Sequence, residues 1–270
     1  MGKDGDIEKL RSMIKPFILR RLKKDVMLEL PEKVEKKFFV EMAESQKKVY
    51  KAFAEDAKNK LLDKDEENNK ITILSYLTKL RQICLDPSLI IEDYKGENSK
   101  LDVAMDIIVD RIENNKKILL FSQFTSVLDV IKKKLDEEEI GYYYLDGGTK
   151  ASSRIEMVNK FNEDEEKNIF LISLKAGGTG LNLTGASTVV HFDPWWNPAI
   201  EDQATDRAHR MGQKNSVEVI KLIGKGTIEE KILKLQESKK EIIDNIMGSN
   251  YENGTLLSSL SEEEILELFN

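Results

Sequence analysis

From about residue 98 onward, short runs of consecutive apolar residues alternate with stretches whose apolar positions recur every three or four residues. The runs KILLF (117–121), YYYL (142–145), NIFLI (168–172), TVVHF (188–192) and VEVIKL (217–222) predict strands. The stretches near 100–113, 125–138, 151–161 and 198–211 predict helices. Uninterrupted apolar strands alternating with helices predict an α/β fold, a parallel sheet covered on both faces. Local signals mark the helix starts. Asn197 before Pro198 places a capping side chain ahead of a proline at the first helical position. Ser99, three residues before Asp102, reads as a capping box, and Thr125 as the cap of its helix. Thr227 and Glu230 open a final helix to about 246, with Ile228, Ile232, Leu235, Ile242 and Ile246 in one stripe.

Residues 1–97 read as helix and loop. Val49, Phe53, Ala57 and Leu61 recur at four-residue steps, and 71–85 is helical again until Asp86-Pro87 stops it. The polar run 63–70 reads as a solvated loop. The expected organisation is a helical region over 1–97, a sheet domain over 98–225, a long helix over 226–248 and an acidic, flexible tail over 249–270.

Composition narrows the function. The net charge is −7, which excludes a chain that coats nucleic acid by overall basicity but leaves room for a local basic groove. A single cysteine, Cys84, excludes an intrachain disulfide. With only His191 and His209 beside it, no metal site is expected. No apolar run approaches the roughly 20 residues of a membrane span, and no signal core opens the chain. The expectation is a reduced, soluble, cytoplasmic protein without membrane contact.

The chemistry concentrates in 169–213. The loop KAGGTGLN follows a strand, and Gly177, Gly178 and Gly180 let backbone N–H groups approach an anion. It is not a dinucleotide fingerprint, because Leu183 occupies the place of the third glycine, and it is not a P-loop, because Ala186 replaces the lysine. Gln203, Arg207 and Arg210 are spaced to share one helix face, with Ala204, Ala208 and Met211 on an adjacent apolar face. Two arginines so placed suit a polyphosphate; an alternative is an ordinary charged surface in which Asp206 pairs with Arg210. In DPWWNP one tryptophan reads as core and the other as a contact for a base, a sugar or a partner; an equal alternative is that both are partly buried where the loop meets the sheet. Ser122, Gln123 and Thr125 lie at the carboxyl end of a strand, where open α/β sheets bind ligands. His191 sits in an apolar strand and reads as a core residue. The acid runs 136–139 and 163–166 read as solvated faces.

Four segments in order, FSQFTSVLD, YLDGGTKASSR, ISLKAGGTGLNLTGASTVVHFDPWWNPAIEDQATDRAHRMGQ and GTIEEKIL, resemble the SWI/SNF-type family of ATP-dependent DNA translocases in helicase superfamily two. The upstream FILRRLKKDVMLELPEK is similar to that family's segment between its two motor lobes. The resemblance covers most of 14–246. It implies a RecA-like second lobe with an N-terminal helical region and a C-terminal brace helix. The family's lysine P-loop and acidic magnesium motif are not among these residues, so ATP and Mg2+ would be held mainly by a first, N-terminal RecA-like lobe. This chain alone would then be inactive. The resemblance further implies that Arg207 and Arg210 are arginine fingers and that Gly178, Gly180 and Gln203 face ATP. Ser122, Gln123, Ser173, Lys175 and Trp196 would face double-stranded DNA; Trp195 departs from the family pattern. A nucleoprotein or polymerase would be a further partner, and a bacterial nucleoid, or a nucleus in a eukaryote, the location. Two other readings remain at this point: a non-catalytic RecA-like module that binds protein or DNA, and a dinucleotide or methyl-donor enzyme.

Overall fold

The computed structural model describes residues 13, 30–62, 69–176, 180–246 and 268–269. Six strands form one sheet: β1 (Lys33–Val40), β2 (Ile118–Ser122), β3 (Tyr142–Leu145), β4 (Ile169–Ser173), β5 (Thr188–His191) and β6 (Val217–Gly224). All pairs are parallel, in the order β1-β6-β5-β2-β4-β3. The helices are α1 (Glu44–Leu62), α2 (Asn69–Leu85), α3 (Ser99–Glu113), α4 (Thr125–Glu137), α5 (Ala151–Glu163), α6 (Pro198–Thr205) and α7 (Ile228–Ile246).

The five expected strands form where their apolar runs lie, and β2, β4 and β5 are buried along their whole length. Alternate residues of these strands feed two cores. One face carries Leu119, Phe121, Phe170, Ile172 and Val189 against Phe161 of α5 and Ala204 of α6. The other carries Ile118, Leu120, Ile169, Leu171 and Val190 against Ile108 of α3 and Ile131 of α4. Burial on this scale stabilises by about 1.5–3 kcal/mol per large side chain, so helices on both faces follow from the strand composition.

The sixth strand corrects the helix-and-loop reading of 1–97. KVEKKFFV pairs with β6 over all eight residues and forms the sheet edge. Its lysines disguise it; charged side chains on an edge strand discourage pairing with other chains. Lys36 reaches Glu218 at 2.7 Å, and Glu35 meets Lys221 at 3.0 Å. The α1–α2 hairpin makes a third core with Trp196, Ile228 and Ile232, in which Leu268 and Phe269 are also buried. The segment that resembles the family's inter-lobe stretch, up to Glu29, and most of the tail lie outside the described residues.

One expected cap moves by one residue and another is not made. Asn98, not Ser99, accepts from Leu101 N at 3.3 Å. Thr125 is the first residue of α4 and makes no cap bond; Ser122 Oγ accepts from Phe124 N instead, at 3.2 Å. Asn197 caps α6 as its sequence predicts, accepting from Ala199 N at 3.0 Å.

His191 is a core residue. Its Nε2 lies 2.9 Å from Thr205 Oγ1, and its ring stacks on Phe121. Burial, then the charges of Lys221 and Lys33, hold its pKa down to about 3. The unfolded chain takes up this proton near pH 6.5, whereas the native state stays neutral until far lower pH. Stability present above about pH 6.5 is therefore lost on acidification, by up to about 1.4 kcal/mol per pH unit. In urea titrations between pH 6.5 and 5, His191→Gln is expected to flatten this slope; equal slopes in both proteins would refute the assignment.

Candidate functional site

From β2 the chain leaves toward β3, and from neighbouring β5 it leaves toward β6 on the other side. A crevice opens at such a reversal, outside the carboxyl ends of the strands. Asp193, directly after β5, sits in it. Asp193 Oδ1 accepts from Ser122 Oγ at 2.6 Å and from Gln123 N at 3.1 Å. Its Oδ2 accepts from Arg81 Nη2 at 3.1 Å, and that nitrogen also donates to Pro194 O at 2.8 Å. Both charges are buried, with Arg81 2% exposed. The guanidinium lies between 5.2 and 5.8 Å from the ring centres of Phe124, Trp195 and Trp196. Sequence reading missed both residues. The available signals were a lone acid immediately after TVVHF and an arginine inside the apolar helix run LSYLTKLRQICL.

Beside this pair lies a cavity of about 250 Å³, lined by Gln123, Leu174, Lys175, Trp195, Ile200 and Gln203. Lys175 and Gln203 are exposed, while Gln123 and Trp195 are half-buried. Three of the expected contact residues are thus brought together. Gln203, expected on the nucleotide side, stands with Gln123 and Lys175.

Three expected contact residues are buried in this structure. Ser122 and Ser173 are paired across β2 and β4 and are 1% and 5% exposed, so neither presents a hydroxyl to an outside ligand. Trp196 is 8% exposed within the α1–α2–α7 core. Trp195 is the tryptophan that reaches the cavity.

The helix expected over 198–211 stops at Thr205. Beyond it the chain turns tightly, with Arg207 N donating to Ala204 O and Ala208 N to Thr205 O, both at 3.1 Å. Arg207 and Arg210 therefore do not share a helix face with Gln203, and Met211 is exposed rather than packed on the sheet. Ala204 and Ala208 are buried as expected. Buried Gln213 fixes the turn by donating to Ala186 O at 2.8 Å and Ala208 O at 3.1 Å.

This turn holds both arginines against the glycine loop. Leu183 N donates to Arg207 O at 2.9 Å, and Arg210 Nη1 donates to Leu181 O at 3.1 Å. Burial, then the charge of Arg210, push the Arg207 guanidinium below its ordinary value, and Asp206 opposes the shift. Gly180 is exposed at φ +32°, with nothing within 4 Å of the place a Cβ would take. Gly178 lies outside the described residues. Gly185, which gave the false P-loop spacing, is a packing glycine: its Cβ would come within 3.1 Å of the Asn162 Cα.

The helicase conserved C-terminal domain model matches residues 99–212, and the SNF2-related domain model matches 2–89. The C-terminal domain of the Sulfolobus solfataricus SWI2/SNF2 ATPase is 30% identical and superposes with a TM-score of 0.72 over 88% of this chain and 98% of that one. The chain belongs to the SWI2/SNF2 ATPase family. Its RecA-like sheet is the fold of that family's C-terminal lobe. The core of the same ATPase, solved in complex with double-stranded DNA, is 34% identical over 97% of this chain and 55% of that one, with a TM-score of 0.73. A protein of Mycoplasma genitalium named as an uncharacterised ATP-dependent helicase is 41% identical over 98% of this chain. The SWI2/SNF2 chain spans about a quarter of that relative's length.

Proposed function

We propose that this chain is the second lobe of an ATP-driven double-stranded-DNA translocase, in which Arg207 and Arg210 reach the phosphates of ATP held by a first lobe. The observation that carries the reading is that two stretches between β4 and β5 serve two sites. Residues 174–176 give Lys175 to the cavity with Gln123 and Gln203, and residues 180–187 seat both arginines beside the open backbone of Gly180.

The residues present fit a polyphosphate. Arg207 and Arg210 both stand against the glycine loop, where each guanidinium would gain a charged hydrogen-bond partner from a phosphate group. ATP with its Mg2+ supplies the transferable phosphoryl group. In this reading the ATP-bound Mg2+ is held by the first lobe, which carries the acidic magnesium motif. The guanidinium groups stabilise developing charge on the phosphoryl oxygens, while Lys175 and Gln123 hold a DNA phosphate. Backbone contact needs no base sequence. Closure of the two lobes on ATP and their opening afterwards would advance the grip along the duplex, with α7 bracing the second lobe.

The test joins this chain to a first lobe carrying the lysine P-loop. The chain alone is expected to turn over no ATP, and the joined protein to show turnover stimulated by duplex DNA of any sequence. Turnover by the chain alone, or a joined protein indifferent to duplex, would overturn the reading. Duplex binding without stimulation would favour a non-catalytic binding module.

A further inference from the structure

We propose that Trp195 is the aromatic contact of the DNA-facing cavity and that Arg81, from outside the sheet domain, is its positioning residue. This rests on reading the cavity as a DNA-backbone site. Trp195 is held from three directions. Its backbone N–H donates to Glu201 Oε1 of α6 at 2.7 Å. Its carbonyl accepts from Gln236 Nε2 of α7, and the same nitrogen bonds Glu201 Oε1 at 2.9 Å. Its ring lies 5.7 Å from the Arg81 guanidinium of α2. Glu201 is in turn fixed by Lys221 of β6 at 2.9 Å. With its backbone fixed by these hydrogen bonds and its ring packed beside Arg81 and against the sheet core, the half-exposed indole is pre-ordered for contact, because less entropy remains to be lost when a ligand arrives.

The cavity states the ligand class. Leu174, Ile200 and the indole make apolar walls, and Lys175 places one cation at the rim. Apolar walls suit the C–H face of a deoxyribose, and the ammonium donates to its phosphate. The volume of about 250 Å³ takes one sugar-phosphate unit rather than a run of stacked bases. Trp196 cannot share this task from its place in the α1–α2–α7 core.

Arg81 connects the two regions. It belongs to the α1–α2 hairpin, yet its partners Asp193 and Pro194 and the ring of Trp195 lie at the carboxyl edge of the sheet. Any shift of α2 therefore moves the indole that contacts the duplex.

The chain has two tryptophans, so Trp196→Phe leaves Trp195 as the single emitter. In that background a mixed-sequence duplex is expected to quench the emission with unchanged affinity. Trp195→Ala is expected to weaken duplex binding about tenfold or more, and Trp195→Phe to restore most of it. Arg81→Lys keeps a charge for Asp193 but loses the flat face. It is expected to lower Trp195 fluorescence anisotropy and weaken duplex binding about fivefold. Thermal melts of every variant separate these effects from unfolding. Wild-type affinity in Trp195→Ala overturns the contact, and unchanged anisotropy in a folded Arg81→Lys protein overturns the positioning role. If the wild-type chain binds no duplex, the functional reading and the contact fall together, while the anisotropy still decides whether Arg81 sets Trp195.

Discussion

Alanine at Arg207 is expected to lower duplex-stimulated ATP turnover of the joined two-lobe protein by about 10³-fold or more, the scale on which arginine fingers act. Duplex affinity should stay within about twofold, because the cavity residues that would hold DNA are not those that seat the arginines. Arg207→Lys should recover little, since an ammonium cannot present two parallel N–H bonds to a phosphoryl group. Arg210 should behave differently. Its Nη1 already holds Leu181 O, one residue beyond Gly180. Removing it takes a charge from the site and a tether from the glycine loop, so KM for ATP should rise along with the fall in kcat. For Arg207 the loss should fall mainly on kcat. Steady-state turnover at saturating duplex, with polarisation assays for DNA binding, measures both. Turnover within threefold of wild type in each single variant would remove the finger assignment.

The motifs that carry this expectation were legible in the chain, but the geometry was not. β2, β4 and β5 could be read because a central parallel strand is apolar on both faces. β1 could not, because an edge strand facing solvent needs no apolar run, and Lys33, Lys36 and Lys37 look like a loop. The spacing of Gln203, Arg207 and Arg210 suggested a shared helix face, yet Gln213 and the glycine loop bend the chain after Thr205. That bend is tertiary and leaves no periodic trace. The same limit applies to the tryptophans: Trp196 is the inward one because it packs with residues of α1, α2 and α7, which lie far from it along the chain. His191 was legible because a histidine inside an apolar run has nowhere else to go.

Breaking the buried pair of Lys100 and Glu229 from one side is expected to cost about 3–5 kcal/mol. Lys100, at the start of α3, is 2% exposed and Glu229, in the first turn of α7, is fully buried. The ammonium donates to both carboxylate oxygens, at 2.7 and 2.5 Å, and Oε2 also accepts from Gly224 N at 2.7 Å. Glu229→Ala would leave an ammonium with no carboxylate in a dry site; Lys100→Met would leave the converse. Replacing both by Met should recover most of the loss. The exception is the stranded Gly224 amide, worth about 1–3 kcal/mol. Urea denaturation of the two single variants and the double variant gives the coupling directly. By contrast, the exposed pair of Lys225 and Glu41 should leave the urea midpoint unmoved when either partner is removed. The consequence reaches beyond stability. Glu229 fixes where α7 begins, and two turns later the same helix supplies Gln236, which grips the Trp195 carbonyl. A Lys100→Met protein that still folds should therefore hold Trp195 less firmly and bind duplex more weakly. Single variants costing under about 1 kcal/mol would show that the pair is ordinary surface chemistry and that α7 takes its register from its apolar stripe alone.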